Sequence, residues 1–113
     1  MVTLVTLVTG PSALVREQAI ASAAPSGAAI LLEGMASGIS NLPEHLDIVR
    51  IAPGCLCCTG NLVLRVTLNR ILRRGPDRLF MGLASTEHLD QLRSWLSAPP
   101  YDQLLALTPD LRT

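Results

Sequence analysis

The sequence predicts an α/β three-layer sandwich built on a mainly parallel sheet. Three observations point there. Several segments, such as Val2 to Val8 and Ala28 to Leu32, are mostly apolar and do not alternate residue by residue with polar ones, which is how strands buried on both faces read. They alternate along the chain with helical patterns, the order that a parallel sheet needs. At 113 residues, 49% of them hydrophobic and 16% charged, the chain is one domain with enough apolar material for a core.

Each element has a local reason. Val2 to Val8 is rich in valine and threonine, the residues of a strand. Thr9-Gly10-Pro11-Ser12 is a turn, and Ser12 can cap a helix over about Ala13 to Ala23, with Glu17 favourable in its early part. Ala24-Pro25-Ser26-Gly27 ends that helix and Ala28 to Leu32 forms a second strand. Glu33 to Glu44 reads as loop, and Asp47 to Ala52 as a short strand broken by Pro53 and Gly54. From Asn61 to Arg74, Leu64, Leu68, Ile71 and Leu72 recur at helical spacing, and Gly75-Pro76 closes the helix. Asp77 to Leu83 is a further strand. Ser85 or Thr86 caps a helix with Leu89, Leu92 and Leu96 on one face, and Ala98-Pro99-Pro100 ends it. The remainder is expected to add an edge strand around Gln103 to Leu107.

The composition excludes several functions. Formal net charge is zero and aromatic residues make up 3%, so neither phosphate attraction nor base stacking is served and no nucleic acid is expected. All nine basic residues are arginine. Without lysine there is no Schiff base and no phosphate-binding loop amine. The N-terminal apolar run lacks a basic start and is broken by threonines, unlike a signal peptide. No segment approaches the roughly 20 residues of a membrane span. The expected compartment is the cytoplasm, where thiols stay reduced.

All three cysteines lie in Gly54-Cys55-Leu56-Cys57-Cys58-Thr59. Their number is odd and no distant cysteine exists to bridge, so a stapling disulfide is a poor explanation. Thiolates this close suit a soft metal, zinc or Cu(I). Adjacent Cys57 and Cys58 point in different directions, so two thiolates plus a distant ligand are easier than three. Glu33, His45 and His88 are candidates for that ligand, and a second copy of the chain could supply one. Cu(I) accepts two or three thiolates and relaxes the geometry. A redox pair, Cys55 with Cys57 or with Cys58, is the alternative chemistry. Plain turn filling is the bland one.

The order of these motifs resembles the CobW family of P-loop GTPases, some of which are regarded as metal chaperones. Members open with an apolar strand, Thr-Gly and a P-loop, and later carry Gly-Cys-x-Cys-Cys before a helix. Gly54 to Thr59 matches the second motif without a gap, and Leu64, Leu68 and Asp77-Arg78-Leu79 also fit. The resemblance covers most of the chain but only the N-terminal part of a member. It implies a single truncated P-loop NTPase-like domain over 1–113, lacking the guanine-specifying region and the C-terminal domain.

The nucleotide machinery departs from that family. In the P-loop register Gly10 to Glu17, Val15 stands for the second glycine, Arg16 for the lysine and Glu17 for the magnesium hydroxyl. Pro11 removes a donor. Arg16 keeps a positive charge with the wrong shape and reads as a solvated helix residue. Ser40, Met81 to Ser85 and Leu62-Val63-Leu64 each lack an acid that the family carries. A degenerate P-loop at Gly10, Arg16 and Glu17 is therefore expected to bind no nucleotide and catalyse nothing. The function expected is metal binding through Cys55, Cys57, Cys58 and Glu33. Alternatives are a pseudo-GTPase interaction module, as a homodimer or with a protein partner, and a retained GTPase. Arg65, Arg70, Arg73, Arg74 and Arg78 could serve an acidic partner, or simply form the solvated face of a helix.

Overall fold

A computed structural model describes residues 2–34, 47–51, 62–84, 86–87 and 89–113. It contains strands β1 (Thr3–Thr9), β2 (Ala29–Glu33), β3 (Asp47–Ile51), β4 (Arg78–Gly82), β5 (Leu105–Leu107) and β6 (Leu111–Arg112). The helices are α1 (Ala13–Ala23), α2 (Leu62–Arg73), α3 (Leu89–Leu96) and the single turn α4 (Tyr101–Leu104). Strand order is β3-β2-β4-β1-β5, with β6 also on β1, and every pairing is parallel. The expected α/β sandwich is what forms.

Two apolar layers flank the sheet. On one face, Leu64, Leu68 and Ile71 of α2 and Leu92 and Leu96 of α3 pack with Val5, Leu7, Leu31, Leu79 and Met81. On the other, Ile20 of α1 packs with Val8, Ile30, Leu32 and Phe80. The β1–β2 crossover travels one way along the sheet over the α1 face. The β3–β4 and β4–β5 crossovers travel the other way over the opposite face. A uniform crossover hand demands that correspondence. The helix α1 sits close because Gly82 has no side chain. A Cβ there would lie 2.8 Å from Leu32 Cδ2 and 3.6 Å from Ile20 Cδ1.

The C-terminal edge departs from expectation. Residues Tyr101–Leu104 form a helical turn, so β5 starts at Leu105 and not near Gln103. β6 was not anticipated. Val5 pairs with Leu107 and Val8 with Leu111, so four steps along the edge span three along β1. One extra residue is accommodated at Thr108-Pro109-Asp110, the signature of a bulge, where Pro109 has no N–H to waste. The offset sends Leu107 to the α2–α3 core and Leu111 to the α1 core. Asp110 pairs with Arg93, which ties the bulge to α3. No helix among the described residues is long and apolar enough to cross a membrane.

Candidate functional site

Ligands of open α/β sheets sit beyond the carboxyl ends of the strands, where the outgoing connections part. Here that point lies between β1, which leaves toward α1 on one face, and its neighbour β4, which leaves toward α3 on the other.

The loop after β1 is held by its own chain. Ser12 has extended backbone and accepts the Val15 N–H at 3.2 Å, the N-cap foreseen from the sequence. Arg16 turns back over the start of its helix, and its Nη1 donates to the Gly10 carbonyl at 2.8 Å. Arg16 is thus buried, not a solvated helix residue. A phosphate cradle turns backbone N–H groups toward the anion; here a carbonyl faces the cation. Gly10 also lies against the C-terminal residue: a Cβ would meet Thr113 Oγ1 at 1.9 Å. Thr113 donates through its amide and its hydroxyl to the Thr9 carbonyl, at 3.0 and 2.9 Å.

Glu17, one residue on, is 2% exposed and accepts from Arg50 Nη2 of β3 at 2.8 Å. It serves as the partner of a strand arginine and not as a favourable charge in the first turn of α1. Arg50 was not singled out in the sequence. A lone arginine inside the apolar strand Asp47–Ile51 was the available signal, because a charge on a covered face needs a partner. Arg16, Glu17, Glu33, Arg50 and Gly82 line a cavity of only about 10 Å³, far below the usual size of a ligand pocket. On the other side of the loop, a wider polar crevice of about 540 Å³ opens among Thr9, Gly10, Leu83, Thr86, Arg112 and Thr113.

Glu33 ends β2 and is buried, with its Oε1 accepting the Ala84 N–H at 2.8 Å. Its register partner is Ile51, the last residue before the cysteine-bearing segment, and α2 begins at Leu62 just after that segment. Glu33 therefore stands at the sheet edge where the chain enters 52–61. Cys55, Cys57 and Cys58 lie outside the described residues, as do His45, His88, Ser40 and Ser85. Among the described residues, no group of three His, Cys, Asp or Glu side chains could hold a metal ion.

The arginines expected to act together are divided. Arg65, Arg70 and Arg73 are exposed on α2, and Arg74 pairs with Asp47. Arg78 belongs to β4 and lies with its guanidinium carbon 5.2 Å from the centre of the Phe80 ring.

No protein-family profile matches the chain, and no solved structure matches it. Over 62 residues the chain is 39% identical to the zinc chaperone YeiR of Escherichia coli (strain K12). The matched stretch is 54% of this chain and 19% of that protein, so the chain spans about a fifth of the relative it matches. The similarity is thus to one part of a zinc chaperone.

Proposed function

We propose that the chain is a zinc-binding, chaperone-like module of the CobW type that neither binds nor hydrolyses GTP. The observation that carries the zinc reading is the partial likeness to a zinc chaperone, in a chain whose three thiols fall within four residues. Three sulfurs and a carboxylate are a donor set that suits tetrahedral zinc. Glu33 supports the reading by its place beside Ile51, where that segment begins. The N-terminus of α2 follows the segment and favours thiolate over thiol. The named metal of the relative favours zinc over Cu(I).

Loss of nucleotide binding is supported by the β1–α1 loop. Arg16 is engaged with Gly10, Glu17 with Arg50, and Val15 stands where a glycine would let phosphate approach. No lysine is available to replace Arg16. Magnesium and GTP should therefore give no heat in calorimetry; a dissociation constant near a micromolar, about 8 kcal/mol, would restore the GTPase reading.

Zinc titration against a chromophoric chelator under reducing conditions tests the metal site. About one zinc per chain or per dimer is expected, with weaker binding as pH falls and protons compete for sulfur. The triple variant Cys55→Ser, Cys57→Ser, Cys58→Ser should lose that uptake. Unchanged uptake would remove the site.

A further inference from the structure

We infer that a second copy of the chain docks on the α2–α3 face, about a two-fold axis running along the helices. That face is divided by charge. The helix α2 contains no acid. Its Arg65, Arg70 and Arg73 are exposed, and no carboxylate among the described residues pairs with them. The other half is α3 and α4. Their Asp90 and Asp102 are exposed and pair with no arginine among the described residues, while Arg93 of α3 is taken by Asp110. Glu87, exposed just before α3, has the same sign. At the boundary, Arg74 and Asp47 neutralise each other. Asp77 is exposed too, but it belongs to the turn pocket between Pro25 and Arg78, outside both helices.

The two halves also differ in relief. Val63 and Val66 stand 59% and 48% exposed on α2. Along α3 an open groove of about 570 Å³ passes Asp90, Gln91, Ser94 and Trp95. Trp95, half-buried against the ring of Tyr101, gives that groove an apolar wall. Both helices return from the carboxyl end of the sheet to its amino end, so they run in the same direction. Val63 and Asp90 are each the second residue of their helix. Arg73 closes α2 just before β4, and Asp102 lies just before β5, strands that begin level with each other on β1. A two-fold axis along the helices keeps each height and exchanges the halves. Arg70 and Arg73 then face the partner's Asp102, Val63 and Val66 face the partner's groove, and symmetry repeats each contact. An acidic segment laid over this face would meet Asp90 and Asp102, and a basic one the arginines. The occupant must carry both signs in this order, as the chain itself does. A two-fold axis across the helices would instead set arginine against arginine.

Two short helices make a face at the small end of specific interfaces, so the pair should form reversibly at micromolar concentrations. Sedimentation equilibrium tests this under reducing conditions with a chelator present, so that no zinc-bridged pair contributes and the zinc reading is tested apart. The dimer should weaken between about 0.05 and about 1 M salt, as exposed charges are screened. The variant Arg70→Glu, Arg73→Glu should be monomeric, and so should Asp90→Arg, Asp102→Arg. An equimolar mixture of the two should restore the dimer, because each half again meets its opposite. All four positions are exposed, and circular dichroism checks that both variants fold. Val66→Ser should raise the dissociation constant about tenfold through lost apolar burial, whereas Leu14→Ser, exposed on α1, should leave it unchanged. A chain that stays monomeric at millimolar concentration would overturn the proposal. So would a dimer indifferent to Val66→Ser or to either charge variant, or folded variants whose mixture stays monomeric.

Discussion

Arg16 and Glu17 are the two residues whose environment differs most from what their chemistry suggests. Both are charged, both occupy an alanine-rich helix, and both are buried. Sequence reasoning picked them out for their place in the P-loop register but could not see where they turn, because their partners are 6 and 33 residues away. Glu17→Ala leaves Arg50 without its carboxylate on a covered face. It should lower stability by about 3 kcal/mol, read by urea unfolding. The double variant Glu17→Ala, Arg50→Ala should cost less than the sum of its parts. Tyr101 gives a pH signature. Burial pushes its pKa above the ordinary tyrosine value, and the positive charge of Arg65 opposes that only in part. The unfolded chain then releases this proton first as pH rises. The stabilisation should be complete below about pH 10 and decline above it. Melting curves across pH 8–11 check this: Tyr101→Phe should lose stability less steeply above pH 10.

Among the elements, the strands were legible wherever they were central. β1, β2 and β4 are buried on both faces, so an apolar run is nearly all the information they need. α2 and α3 were legible for a different reason: each buries one stripe and shows the other side to water. α4 and β6 were not, since a single turn and a two-residue strand are too short to show a period. The contact of α1 with the sheet was also hidden, because it depends on an absence at Gly82. Gly82→Ala should cost about 1–2 kcal/mol, the usual penalty of overpacking, and Gly82→Val more, as Ile20 is displaced. Thermal unfolding checks both. Ser12→Ala removes the N-cap of α1 and should cost about 1 kcal/mol.

At the scale of the molecule, the fold class followed from alternation of strand and helix, and the switch point at β1 and β4 followed from strand order. The candidate site was legible only as composition. Three cysteines in four residues announce chemistry, but Glu33 was one of three candidates for a distant ligand, and its hydrogen bond to Ala84 spans 51 residues. Such pairings are set by topology and leave no local trace. The bulge at Thr108-Pro109-Asp110 has a consequence for the whole molecule. Deleting Pro109 should remove the extra residue and give one continuous register, with Leu111 still opposite Val8 and toward the α1 core. Amide exchange of Leu111 to Thr113 should then slow, because the ladder on β1 is no longer interrupted. In the intact chain the same offset breaks the outer hydrogen-bonding edge into pieces of three and two residues that are out of step. A foreign strand aligned on β5 would be one residue wrong by β6. This side of the sheet is a poor template, and the irregularity protects an apolar protein of zero formal net charge against fibrous self-association in crowded surroundings.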